Sequence, residues 1–133
     1  KAELARRFPA ERFLIVHYGD HQPTATRTLL GFGADADIED VTRSADPAAF
    51  LAYFAVDGVN YRPAAALPDL ETIDAAYLGV VLLEAAGLPL SDASRERRRL
   101  MQVCLGHYHG CPDRGEILSF HRRLIEGGII DAL

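Results

Sequence analysis

The stretch Phe13-Leu14-Ile15-Val16-His17-Tyr18-Gly19-Asp20-His21-Gln22-Pro23 decides how the chain reads. Its first six residues are apolar or aromatic apart from His17, β-branched at Ile15 and Val16, and too few for a helix. Near-continuous hydrophobicity, with charge before it and Gly19 behind it, predicts a buried strand of the parallel type over 13–18. Ligands of open α/β sheets gather beyond the carboxyl ends of strands, which is where Asp20 and His21 fall. Neighbouring side chains on a regular strand point to opposite faces, so both can reach one ion only if the backbone bends; Gly19 permits that bend. A carboxylate beside an imidazole suits zinc or manganese better than magnesium or calcium, which favour oxygen ligands. The competing reading is structural: Asp20 caps a turn and His21 is merely polar at a strand end. His17 reads either as a hydrogen-bonded core histidine or as a group that, with Gly19, flanks and orients the ligands. Tyr18 reads as packing.

Working outward, residues 2–8 read as the end of a helix closed by Pro9, and a short helix is expected around 25–30 within a loop-like region that reaches residue 49. A second strand is expected over 51–57, ended by Asp57-Gly58. Three helices follow. The first is expected over 72–86, with Ile73, Ala76, Tyr77, Val80 and Leu83 on its inner stripe and Gly87 as its stop. The second is expected over 92–105, capped by Ser91 or Asp92. The third is expected over 114–126, with Ile117, Phe120, Leu124 and Ile125 facing inward. Strands joined by long loops and then helices point to an α/β class. Two parallel strands make an incomplete sheet, so neighbours are expected upstream of Lys1. The absence of an initiating Met agrees with a processed chain or a piece of a longer one.

The 133 residues, 49% of them hydrophobic and 25% charged, suit a single domain over 1–133 with no linker, repeat or low-complexity tract. The formal net charge is −5, and neither half of the chain is a basic arm, so nucleic acid is not an expected partner. No apolar run is long enough to span a bilayer, and no signal-peptide pattern is visible in these residues.

The order Phe-Leu-Ile-Val-His-Tyr-Gly-Asp-His-Gln-Pro resembles the strand and metal-ligand turn of the alkaline phosphatase superfamily. More narrowly, it is similar to the sulfatase-like family of lipoteichoic acid synthases, phosphoglycerol transferases and phosphoethanolamine transferases. Tyr53-Phe54-Ala55-Val56 and the run from Ile73 to Pro89 extend the likeness over about residues 13–90. The resemblance implies the C-terminal part of an alkaline-phosphatase-like fold in a metal-dependent phosphoester or sulfate-ester hydrolase or phosphotransferase. Asp20 and His21 would each give one bond to a divalent ion. The Thr or Ser nucleophile and a further acidic ligand lie earlier in such enzymes; Thr24, Thr26 and Thr28 follow the turn and do not qualify. His21, where sulfatases tend to have Asn, favours phosphate over sulfate. The implied partners are the upstream part of the same catalytic domain and an ester substrate such as a lipid headgroup or glycan. A homodimer through an exposed edge is also expected. The parent protein would be anchored in a bacterial inner membrane, with this part outside the cytoplasm. Alone, this segment would bind metal weakly and turn nothing over.

Cys104 and Cys111 are the only two cysteines and flank the turn that carries His107 and His109. They read as a disulfide, as two free thiols, or as half of a zinc set with the two histidines. Arg95, Arg97, Arg98 and Arg99, like Arg122 and Arg123, read as a solvated basic face or a phosphate contact. The acidic loop Asp35, Asp37, Glu39 and Asp40 lacks the glycine and glutamate of a calcium loop and reads as solvated. Two readings compete with the enzyme: a non-catalytic α/β interaction domain, and a small module held by a disulfide or zinc at Cys104 and Cys111.

Overall fold

The computed structural model describes residues 1–20, 23–33, 35–37, 39, 41 and 49–130. Within them the protein is mixed α/β, with five helices and a two-stranded antiparallel sheet. The elements are α1 (Ala2–Arg7), β1 (Phe13–Tyr18), α2 (Thr24–Leu29), β2 (Phe54–Val59), α3 (Ala75–Ala85), α4 (Asp92–Val103) and α5 (Arg114–Glu126). The chain forms two compact units: Lys1–Leu14 with Gly58–Leu133, and Ile15–Asp57.

β1 has the limits its composition predicts, but its direction corrects the parallel reading. The Gly19 N–H donates to the Tyr53 carbonyl at 2.9 Å, which brings the end of β1 beside the start of β2. Phe13 to Val16 are half-buried, while His17 and Tyr18 are exposed. A continuous apolar run reports burial on both faces and carries no information about strand direction. β2 begins at Phe54, not 51, because pairing with β1 sets its start; Phe50, Leu51 and Tyr53 stay exposed. β2 continues through Asp57 and Gly58, expected to end it, and stops at Val59; the side-chain amide of Asn60, next in the chain, donates to the Phe8 and Glu11 carbonyls at 2.9 and 3.0 Å. Gly58 is required there: a Cβ would lie 1.8 Å from the Tyr61 carbonyl oxygen.

The core lies among the last three helices. Tyr77 and Val81 of α3, Leu100 and Met101 of α4, and Ile117, Phe120 and Leu124 of α5 close around Cys104 and Cys111. α3 starts at Ala75, three residues later than its apolar pattern suggests. Asp74 has extended backbone (φ −65°, ψ 143°) and its N–H donates to the Gly106 carbonyl, so the segment before it is held as a strap, not a helical turn. Its inner face holds Tyr77, Val80, Val81 and Ala85, whereas Ala76 is exposed and Leu83 half-buried. α4 is capped by Ser91, whose Oγ accepts from the Ser94 N–H at 3.2 Å. It stops at Val103, before Leu105 and Gly106 turn left-handed (φ +52° and +85°). α5 has the predicted limits, with Asp113 accepting from the Gly115 N–H at 3.0 Å. Ile125 corrects the expected stripe: it is 40% exposed. At 3.6 residues per turn it falls outside the arc shared by Ile117, Phe120 and Leu124.

Candidate functional site

β1 delivers Gly19 and Asp20 to the position the sequence predicts. Gly19 makes the last pairing bond with Tyr53, and Asp20 follows it, exposed, just past the carboxyl end of the strand. Pro23 then opens α2 with φ −57° and ψ 147°. His21, the second expected ligand, lies outside the described residues, as does Asp40 of the acidic loop. Asp35, Asp37 and Glu39 are exposed. Among the described residues no group of three or more His, Cys, Asp and Glu side chains is gathered as a metal site. The exposed Asp20 carboxylate is a hard, anionic donor of the kind a divalent ion takes.

His17 is not a core histidine. Its side chain is 60% exposed, and Nε2 lies 4.0 Å from Asp57 Oδ2 across the antiparallel pair. Tyr18, expected to pack, is 67% exposed. A six-residue ribbon with one neighbour on each strand leaves its ends open to water, so residues at the strand's carboxyl end do not share the burial of Phe13 to Val16.

The second constellation resolves differently. Cys104 and Cys111 form a disulfide, with α-carbons 4.5 Å apart. The bridge removes both thiolates from the zinc alternative and leaves His107 and His109 exposed on the loop it closes. The Asp74 carboxylate accepts from the backbone N–H groups of Tyr108 and His109. Gly106 is needed beneath it, since a Cβ would stand 2.5 Å from the Thr72 carbonyl oxygen. The Tyr108 hydroxyl meets His121 Nε2 on α5. Tyr77 packs edge-on against the Tyr108 ring, at 5.6 Å between centroids. Tyr77 is fully buried, and its hydroxyl has no hydrogen-bond partner among the described residues. Burial first, then the nearby Tyr108 and Asp74, push its pKa up to about 12, with Arg97 opposing. Burial also raises Tyr108, again against Arg97.

The arginine cluster is occupied by carboxylates. Arg95 pairs with Asp92, Arg98 with Glu84, and Arg99 with Glu96 and Glu116, while Arg123 reaches Glu96. Arg97 lies over the Phe120 ring, 5.6 Å from its centroid. The hydrogen bond from Arg99, followed by the charges of Arg99 and Arg123, holds the Glu96 carboxyl below its ordinary range despite some burial. An open depression of about 510 Å³ beside Pro89 and Leu90 is walled by Glu84, Arg95 and Arg98. Both guanidinium groups there already hold protein acceptors, so the solvated, self-paired reading of the cluster stands over a phosphate contact.

The sequence reading missed Asp74 as an organising residue. The signal was present, since an acidic residue ahead of an apolar helix is an N-cap candidate. It was obscured by starting the helix at Thr72. No protein-family model, curated protein or solved structure matches this chain. No helix among the described residues is long and apolar enough to cross a membrane.

Proposed function

We propose that this chain is the C-terminal segment of a metal-dependent, sulfatase-like phosphoester or sulfate-ester hydrolase or phosphotransferase. In this reading it supplies Asp20 and His21 as ligands and leaves the nucleophile to the preceding part of the polypeptide. The supporting observation is the position of Asp20, exposed immediately after the last paired residue of an apolar strand, with a glycine before it and a helix starting four residues on. A divalent ion held there, manganese or zinc, supplies charge neutralisation at an ester oxygen and lowers a nucleophile's pKa. Asp20 contributes the anionic donor, and Gly19 before it is the residue that would let the backbone bend so that both ligands reach one ion. The exposed Tyr18, Phe50 and Tyr53 around the ribbon are consistent with a sheet that continues into other strands of the same domain.

In the full-length polypeptide, Asp20→Ala and His21→Ala are each expected to lower metal-dependent turnover of bis(4-nitrophenyl) phosphate by about 100-fold or more, with unchanged circular dichroism. Retained turnover in either variant refutes the assignment. Comparing that substrate with 4-nitrophenyl sulfate separates phosphate from sulfate chemistry.

One observation favours a second reading, a non-catalytic interaction domain: the helical unit closes its own core around a disulfide without using Asp20. Under that reading the same two variants leave every measured activity of the parent protein unchanged.

A further inference from the structure

The Cys104–Cys111 bridge sits at a junction of three helices, not on a peripheral loop. Cys104 directly follows α4, and Cys111 stands two residues before the cap of α5. The loop between them holds the start of α3 through both Asp74 contacts and binds α5 through Tyr108 and His121. Closing so short a loop confines the residues that make these bonds before any of them forms. Once the bonds form, Cys104 is 0% and Cys111 5% exposed, both within the apolar core. Exchange requires a thiolate in line with a disulfide sulfur, and neither sulfur offers that approach in the packed unit.

We propose that this disulfide is a one-way oxidative latch on the helical unit, closed by a disulfide donor while the segment is still open and shielded from thiols once the unit has packed. In the closing step, one cysteine thiolate attacks a sulfur of the donor, a small disulfide such as oxidised glutathione, and expels one thiolate. The other cysteine thiolate then attacks the protein sulfur of the mixed disulfide and expels the second. Two protein thiols lose two protons and two electrons, and one external disulfide becomes two thiols. The partner is therefore a thiol–disulfide donor of an oxidising compartment. This inference stands apart from the ester-cleaving reading, because it uses neither Asp20 nor any activity.

The test follows the redox state of this same chain by alkylation and mass. Dithiothreitol is expected to reduce the bridge in native buffer at least about tenfold more slowly than in 6 M urea, since the attack must wait for opening. Equal rates overturn the shielding. Chain kept reduced is expected to unfold at a lower urea concentration than oxidised chain, and to regain the higher midpoint on addition of oxidised glutathione. A transition too low to measure is the same result. The double variant Cys104→Ala/Cys111→Ala, without reductant, is expected to match the reduced chain. If the reduced chain or the double variant keeps the oxidised midpoint, the latch is refuted.

Discussion

The two compact units use their apolar residues in opposite ways. In the unit containing α3, α4 and α5, large side chains such as Tyr77, Leu100 and Phe120 are fully buried around a disulfide. In the unit Ile15–Asp57, only Val41 is buried among the described residues, while Leu29 and Tyr53 are 86% and 77% exposed. The first therefore carries its own stability, and the second carries the exposed carboxylate of the candidate site. Residues that bind or react need access, and access is what a closed core removes.

The largest expected effect tests whether the helical unit is the stable one. Phe120→Ala empties the centre of its core and should cost about 3–5 kcal/mol, measured by urea unfolding followed at 222 nm. The equivalent truncation in the other unit, Leu29→Ala, should shift the midpoint by less than about 0.5 kcal/mol, because Leu29 is almost fully exposed. Similar losses from both would erase the contrast. Next in size, Asp74→Ala leaves the Tyr108 and His109 N–H groups without their carboxylate and should cost about 1.5–3 kcal/mol on the same assay. Asp74→Asn, which keeps an acceptor oxygen but loses the charge, should recover part of that.

Legibility in the sequence follows the same division. α5 could be read to the residue from the spacing of Ile117, Phe120 and Leu124 and from Gly127-Gly128 behind it, while its Asp113 cap shows only in the fold. β1 was equally clear from six residues of β-rich composition. Direction was not, since strand polarity depends on a partner that only folding supplies. The run 51–57 looked like one strand, yet its first three residues stay outside the ladder; hydrophobicity there reports surface that the ribbon does not cover. The Cys104–Cys111 pair was visible as a pair, but whether it bridged depended on the turn of Leu105 and Gly106, which composition does not encode. At the candidate site, the limits of β1 put Asp20 just beyond the strand, and of the two readings of His17 the exposed side chain excludes the core one. Alternation along a strand tells which residues share a face and not whether that face is covered.

Tyr77→Phe sharpens the picture of the core with a smaller effect of opposite sign. Removing a buried hydroxyl that has no partner should stabilise the unit by about 1 kcal/mol. It should also change the response to alkali. In the unfolded chain this hydroxyl ionises near 10, and in the folded chain only near 12, so between those values the unfolded state holds fewer protons. Stability from this group is complete below pH 10 and is lost as pH rises through 12. Urea midpoints measured across that window should fall less steeply in Tyr77→Phe than in the parent chain, the remaining slope including Tyr108. An unchanged slope would place the Tyr77 hydroxyl in contact with solvent.

The smallest expected effect is the one that speaks most directly to the site. His17 lies 4.0 Å from Asp57 on the exposed ribbon, and an exposed pair of this kind contributes about 0–1 kcal/mol. His17→Ala should therefore change the unfolding free energy by no more than about 0.5 kcal/mol. Under the proposed enzymatic reading, turnover of the parent protein separates two roles that stability does not distinguish. If His17 is only a surface partner of Asp57, the substitution leaves turnover as it was. If the ribbon presents His17 toward the metal that Asp20 is proposed to hold, turnover falls while the midpoint stays, and His17→Gln, which keeps a polar group of similar reach, restores part of it. Neither outcome alters the helical unit, so the measurement reads the open region alone.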